Sequence, residues 1–150
     1  MTDLIESRLP ANILAKADFR HNEYAWRVAD LPEVIATAKA MGLRNIGGQL
    51  QIRTADAIGE CDWVGIDACQ LIPPMLPWEA MVEMSANIAL ADLAELQAEF
   101  DFAAEIKEAF PGPVERHLAA GGTLDDIIWF VWYVDSEEEA AATAPEIPEN

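Results

Sequence analysis

The pattern of apolar and polar positions predicts a helix over residues 30–41. Asp30 suits the N-cap position, and Glu33 follows it at the spacing of a capping box. Gly42 suits the position just after the helix, where a left-handed backbone is common. The apolar positions of this segment recur at helical spacing and form one stripe: Leu31, Val34, Ile35, Ala38 and Met41.

After Gly42 the pattern changes to alternation, which predicts an antiparallel hairpin over residues 43–67. Its two runs are 43–53 and 61–66, and the segment between them contains turn residues. The Gly47-Gly48 pair indicates a bulge or a close approach of two backbones in the first run. In the second run, strict alternation places Cys61 and Trp63 on one face, so Cys61 is expected in the core.

Residues 78–110 contain neither Pro nor Gly and are rich in Ala, Glu and Leu, which predicts one long helix. Its apolar positions follow spacings of four and three, as in a heptad seam: Val82, Ala86, Ala89, Leu93, Leu96, Phe100 and Ala103. Such a seam packs either inside its own domain or against a second copy of the chain. A homodimer is therefore an open alternative.

The segment 123–137 gives two conflicting signals. Thr123 and Asp126 have capping-box spacing, and an Ala/Glu stretch follows the apolar run, which together favour a helix. The run 127–134 itself is β-branched and aromatic, which favours a buried strand. We predict a helix over 123–137, with a strand over 127–134 as the alternative.

Together these elements predict a single α+β domain over residues 1–139. A small antiparallel sheet at 43–67 packs against helices at 30–41, 78–110 and 123–137. Two short helical pieces separated by Pro10 precede them. Residues 140–150 contain Pro145 and Pro148 and are predicted to form a disordered acidic tail. A chain of 150 residues that is 52% hydrophobic can bury an adequate core without a metal or disulfide.

The charge of the chain is strongly one-sided, with 27 acidic and nine basic residues and a net charge of −18. Six of the acids follow Val134; without them, 21 acids still face nine bases, which leaves −12. The stretch 54–106 has no Lys or Arg and eleven acids: Asp56, Glu60, Asp62, Asp67, Glu79, Glu83, Asp92, Glu95, Glu99, Asp101 and Glu105. Such a field repels nucleic acid and attracts a basic protein. The alternative is that the acidity serves only to keep the chain soluble.

Candidate chemistry adds little to this picture. His21 and Glu23 form an H-x-E fragment, but the P-C-x-x-C of zinc deaminases is absent, so we expect a surface loop at His21. Cys61 and Cys69 have neither redox-pair nor zinc-site spacing. The sequence also lacks Glu-x-x-His pairs and a phosphate-binding loop. We therefore assign no catalytic residue, no metal site and no cofactor.

The location of the protein is expected to be cytoplasmic. The first residues do not follow the pattern of a secretory signal. The longest apolar run, 127–134, is too short to span a bilayer. Both thiols are then expected to be reduced.

The function expected from these features is non-catalytic binding of a basic protein partner. Asp92, Glu95 and Glu99 are the candidate contacts from the acidic stretch. Trp129 and Trp132 are further candidates, because Trp is enriched at the centres of interfaces; packing of the aromatic run in the core is the alternative.

Two other functions remain open. One is an enzyme or small-ligand binder whose pocket is assembled from distant residues, such as His21, Asp62 and Trp63. The other is a structural protein that self-associates through the heptad seam or the aromatic run.

Residues 26–52 resemble a pattern found in small bacterial immunity proteins of polymorphic toxin systems. The matching parts are Trp26, a helix with Val34 and Ile35, Gly42-Leu43, and the segment Ile46-Gly47-Gly48-Gln49-Leu50. Gln49 stands where that pattern has an acidic residue. The resemblance implies a non-enzymatic protein that binds and neutralises a toxin, and it carries over no binding residue.

Overall fold

A computed structural model describes residues 4–143 of the chain. At its centre is a five-stranded antiparallel sheet with the strand order β1-β2-β5-β3-β4. The strands are β1 (Asp18–Arg20), β2 (Glu23–Trp26), β3 (Arg44–Arg53), β4 (Ile58–Asp67) and β5 (Ile128–Asp135). The predicted α+β class is confirmed, and the sheet extends well beyond the predicted hairpin.

Six helices accompany the sheet in the described part of the chain. They are α1 (Ala11–Leu14), α2 (Leu31–Ala40), α3 (Trp78–Glu99), α4 (Phe102–Ala109), α5 (Pro111–Ala119) and α6 (Glu137–Thr143). Helices α2 and α3 pack on each other and against β3. Of the predicted tail, residues 140–143 belong to α6, and residues 144–150 lie outside the described residues.

Helix α2 confirms the predicted helix at 30–41, although its start differs from the prediction. The Asp30 side chain makes no capping hydrogen bond, so the predicted capping box is wrong. Pro32 stands in the first turn instead, where its missing N–H costs nothing. Gly42 has φ +74° and ends the helix as predicted, and the N–H of Leu43 donates to the carbonyl of Ala38 at 2.9 Å.

The hairpin at 43–67 is confirmed as β3 and β4, and the Gly47-Gly48 pair lies at an irregularity. The register of β3 against β5 shifts between Asn45 and Gly47. A Cβ on Gly48 would lie 1.7 Å from the carbonyl oxygen of Val131. Close approach of neighbouring backbones therefore requires glycine here, as the sequence indicated.

Strand β4 contains a larger irregularity that the sequence does not reveal. Leu50 pairs with Cys61, whereas the preceding Gln49 pairs with Gly65, so residues 62–64 bulge out of the ladder. Cys61 is buried as expected, but Trp63 is 53% exposed. The predicted shared face of Cys61 and Trp63 is wrong because the bulge breaks the alternation.

The predicted helix over 78–110 is two helices, α3 and α4, and α5 begins directly after that range. Helix α3 ends at Glu99 because Phe100 has an extended backbone, with φ −116° and ψ 139°. The carboxylate of Asp101 then caps α4 by accepting from the N–H of Ala104 at 3.2 Å, and Pro111 starts α5. The heptad seam of α3 lies in the core of its own domain, with these members buried: Val82, Ala86, Ala89 and Leu93.

The predicted helix over 123–137 is wrong, and the alternative strand is found as β5. The capping signal is present, since the N–H of Thr123 donates to Asp126 at 2.7 Å. It leads into a short 3-10 turn, Asp125–Ile127, rather than an α-helix. The aromatic run then enters the sheet between β2 and β3, where its side chains supply much of the core.

The hairpin of β1 and β2 is not predicted by the sequence pattern. His21 and Asn22 join the two strands with φ values of 52° and 64°. Two successive left-handed residues form the turn that best matches the twist of a hairpin. The predicted surface loop at His21 is confirmed as this exposed turn.

Candidate functional site: an acidic groove beside the edge strand

Four of the nine Lys and Arg side chains form ion pairs with carboxylates outside the 54–106 stretch: Lys16, Arg20, Arg44 and Arg53. Arg53 is fully buried and binds Asp18, and Arg44 forms a bidentate ion pair with Asp135. Burial alone would raise the pKa of Asp18, but its hydrogen bonds from Arg53 and Arg20 outweigh this and lower it. Five Lys and Arg side chains remain for the rest of the surface, against ten carboxylates of the 54–106 stretch that have no cationic partner among the described residues.

Within residues 4–143, Asp56 is the one acid of the 54–106 stretch that forms an ion pair, with Arg116 at 3.3 Å. The other ten carboxylates of the stretch have no cationic partner among the described residues. The predicted one-sided charge is thus not neutralised by folding.

Three of these carboxylates line one groove of about 500 Å³ between β4 and α3. Asp62 and Asp67 come from β4, and Asp92 comes from α3. The other lining residues are Gly48, Gln49, Trp63, Gly65, Ile66 and Gln70. Among the described residues, no Lys, Arg or His contributes to its wall, so every charged side chain that lines the groove is acidic.

The local structure of β4 explains how the groove forms. The bulge at 62–64 turns Asp62 and Trp63 outward from the edge of the sheet. Gly65 accommodates the bulge, since a Cβ there would lie 3.2 Å from the carbonyl oxygen of Asp62. At the end of β4, Asp67 accepts hydrogen bonds from the N–H groups of Cys69 at 3.2 Å and Gln70 at 3.0 Å.

Trp63 is the aromatic member of the groove. Its indole N–H donates to a carboxylate oxygen of Glu105 on α4 at 3.2 Å, which anchors an otherwise exposed ring. An exposed indole beside carboxylates can stack on a guanidinium or ammonium group while the carboxylates accept its hydrogen bonds. Chemically, the groove is suited to Arg or Lys side chains.

The structure places the predicted partner-binding residues in three different environments. Asp92 lies in the groove, and Glu95 and Glu99 follow it on the same face of α3 and are exposed. Trp129 is half-buried on β5, with the Arg27 guanidinium 3.9 Å from its ring centre. Trp132 is fully buried, so its ring is not available to a partner.

Sequence reasoning missed Asp67 as a site residue, and it assigned Asp62 and Trp63 to a different site. These two residues do line one pocket, but His21, which we grouped with them, is not among the residues that line it. The bulge in β4 that exposes Asp62 and Trp63 has no clear signal in a segment that alternates regularly. The position of Asp67 at the end of a predicted strand was the one available clue.

A second cleft, of about 570 Å³, lies between Arg27 and the junction of α3 and α4. Phe100, Phe102 and Ile128 contribute apolar walls. The Arg27 guanidinium donates to the carbonyls of Asp125 at 2.7 Å and Ile128 at 3.1 Å, which fixes it at the rim. This cleft is separate from the acidic groove and shares no lining residue with it.

The two thiols lie close to the groove but are poorly suited to act as nucleophiles. Burial, and then the nearby Glu105 and Asp62, raise the pKa of Cys61 to about 11. Burial also raises the pKa of Cys69, whose Sγ lies 3.3 Å from the carbonyl oxygen of Asn45. Both groups are therefore protonated at neutral pH.

No family model matches the chain, and neither a curated protein nor a solved structure shows significant similarity to it. In the described part of the chain, no helix is both long and apolar enough to cross a bilayer. No cluster of three or more metal-ligating side chains occurs among the described residues.

Proposed function

We propose that this chain is a non-catalytic acidic binding protein that recognises a basic protein through the groove formed by Asp62, Asp67 and Asp92. The observation that carries the proposal is a groove with three carboxylates, an exposed indole and no cation in its wall. Glu95 and Glu99 extend the same negative surface along α3.

The physical basis of recognition is charge-assisted hydrogen bonding combined with long-range attraction. An Arg or Lys side chain in the groove would receive carboxylate partners and a stacking face from Trp63. The ten carboxylates without ion pairs would attract a basic partner before contact and increase its association rate. The same field disfavours nucleic acid as a ligand.

The resemblance to immunity proteins supports a toxin as the basic partner. The resembling segment 26–52 contains α2 and most of β3, and it contributes Gly48 and Gln49 to the groove. Gln49, which stands where that pattern has an acidic residue, is one of these groove residues. Binding to a basic toxin through this groove would neutralise it without any chemical reaction.

Affinity capture with matched baits tests this function. The baits are the wild-type chain, the groove variant Asp62→Asn/Asp92→Asn and a charge-matched control, Glu115→Gln/Glu138→Gln, whose residues are exposed on α5 and α6. We expect a basic protein to be retained by the wild type and the control, to be lost with the groove variant, and to elute between about 50 and 500 mM NaCl. Equal retention by the groove variant would contradict the proposal.

The toxin assignment has its own test. Expression of the captured protein alone should arrest growth of a host cell, and co-expression of the wild-type chain should restore it. The groove variant should restore growth less well than the charge-matched control. A captured protein that is harmless when expressed alone would remove the toxin assignment and leave the binding function in place.

The second cleft favours a small molecule as a second candidate ligand. Its walls of Phe100, Phe102 and Ile128 would surround an apolar body, while Arg27 is held at the rim. A thermal-shift screen of small apolar compounds tests this function, with Phe102→Ser as the variant that should abolish any stabilisation. A shift that persists in this variant would place the ligand elsewhere.

A further inference from the structure

The loop of residues 68–77, which joins β4 to α3, presents two bulky apolar side chains to solvent. Leu71 is 87% exposed and Met75 is 92% exposed, the highest values among the large apolar residues that the structure describes. The loop begins at the acidic groove, because Asp67 and Gln70 line that groove and Leu71 follows directly. The two exposed apolar side chains thus lie on a loop that starts at the acidic groove.

The loop is tied to the fold at its start and its middle. Asp67 binds the N–H groups of Cys69 and Gln70, and the N–H of Ile72 donates to the carbonyl of Cys69 at 3.1 Å. The side chain of Ile72 is buried, which fixes the residue next to Leu71 in the protein.

Prolines restrict the remainder of the loop, at positions 73, 74 and 77. Because the backbone is already restricted, little backbone entropy is lost when a partner covers Leu71 and Met75, and the entropy cost is confined mainly to their side chains.

We propose that Leu71 and Met75 are the apolar anchors of a docking surface whose other half is the acidic groove, and that its occupant is a basic amphipathic segment of a protein. This inference rests on the function proposed above. Charge excludes two other occupants. A second copy of this chain carries −18 and an anionic lipid surface is also negative, so the acidic groove would repel both. A segment with both cationic and apolar side chains satisfies both halves of the surface.

Two labelled synthetic peptides of twelve residues serve as probes. One alternates Lys with Leu and the other alternates Lys with Ser, so the two carry equal charge and differ in apolar content. Fluorescence anisotropy in 150 mM NaCl gives the Kd of each. We expect the wild-type chain to bind the Lys-Leu peptide about tenfold more tightly than the Lys-Ser peptide, a modest gain for burying two apolar side chains.

Variants separate the two halves of the surface. Leu71→Ser/Met75→Ser should remove the preference for the Lys-Leu peptide and leave the Kd of the Lys-Ser peptide within about twofold. The matched control Leu90→Ser/Leu118→Ser, which removes two other exposed apolar side chains, should keep the preference. Asp62→Asn/Asp92→Asn should weaken the binding of both peptides by a similar factor.

The outcomes distinguish the two proposals. If Leu71→Ser/Met75→Ser retains the full preference, the anchors are wrong while the groove stands. If the wild type binds neither peptide, or if Asp62→Asn/Asp92→Asn binds both as tightly as the wild type, the groove function itself is overturned.

Discussion

The indole N–H of Trp132 donates a hydrogen bond to the side-chain oxygen of Asn45 at 2.9 Å, and both residues are fully buried. The side-chain amide nitrogen of Asn45 donates in turn to the carbonyl of Ile35 at 3.2 Å, and its backbone N–H donates to Ser85 at 3.0 Å. One asparagine thus joins β5, β3, α2 and α3. This network is the polar centre of the core.

Replacing Asn45 by Ala should lower the free energy of unfolding by about 2–4 kcal/mol, because the buried indole N–H of Trp132 loses its acceptor and a cavity forms. Chemical denaturation measures the change. Asn87→Ala, at an exposed position of α3, should stay within about 0.5 kcal/mol of the wild type. A loss below about 1 kcal/mol for Asn45→Ala would show that the network is not important for stability.

Gly48→Ala should destabilise the fold by more than about 4 kcal/mol or prevent folding, because the added Cβ would lie 1.7 Å from the Val131 carbonyl oxygen. The neighbouring strand cannot move away without breaking the β3–β5 ladder. Circular dichroism and thermal unfolding measure the effect.

Gly112→Ala serves as the control for this substitution. The nearest atom to its Cβ would be a nitrogen of Arg116 at 3.4 Å, which is ordinary contact at the end of a flexible side chain. Because Gly112 lies in α5, Ala should stabilise the protein slightly, by at most about 1 kcal/mol. Equal effects of the two substitutions would mean that the close approach at Gly48 is not real.

Glu6→Gln should stabilise the protein at pH 7 and have little effect near pH 4. Burial raises the pKa of Glu6, although a hydrogen bond from the N–H of Val134 partly opposes this. Because the pKa of Glu6 is raised in the folded state, its contribution to the free energy of unfolding is fully present below its unfolded-state pKa. That contribution is lost as the pH rises through its folded-state pKa. Gln stays neutral and keeps an oxygen for Val134.

The measurement for Glu6→Gln is Tm as a function of pH. We expect a higher Tm for Glu6→Gln than for the wild type at pH 7. The gain should shrink as the pH falls. A gain that is constant over the whole range would exclude ionisation of Glu6 as its cause.

Alkylation should distinguish the two cysteines of the native protein. Cys61 is buried and has a pKa of about 11, so iodoacetamide at pH 8 should leave it unmodified. Cys69 is half-buried and should react more slowly than free cysteine. Mass spectrometry of Cys69→Ser should therefore show no modification when folded and one when unfolded; one modification in the folded variant would contradict the burial of Cys61.

The elements that the sequence predicted well are those whose signal is local. Helix α2 and the β3–β4 hairpin follow from the periodicity of apolar positions. The end of α2 at Gly42 follows from the backbone freedom of glycine. The strand at 127–134 was only the alternative prediction, because the cap at Thr123 and Asp126 is a real contact that closes only a short turn. Its strand structure depends on pairing with β2 and β3, which are distant in sequence.

The acidic groove, too, could be predicted only as far as its signal is local. The sequence predicted its charge and one of its residues, Asp92, because charge counts need no structure. It did not predict the convergence of Asp62 and Asp67 with Asp92, because that depends on a three-residue bulge in β4 and on the packing of α3 against the sheet. Trp132 was a candidate partner contact because an aromatic run has no marker of which side chains face the core.

The most direct test of the central claim is the Kd of the Lys-Ser peptide for the wild-type chain and for Asp62→Asn/Asp92→Asn between 50 and 500 mM NaCl. The groove account predicts that affinity falls steeply with salt for the wild type. It also predicts that the groove variant binds about tenfold more weakly at 50 mM, with Glu115→Gln/Glu138→Gln within about twofold of the wild type. Equal Kd values and equal salt dependence for the wild type and the groove variant would contradict it.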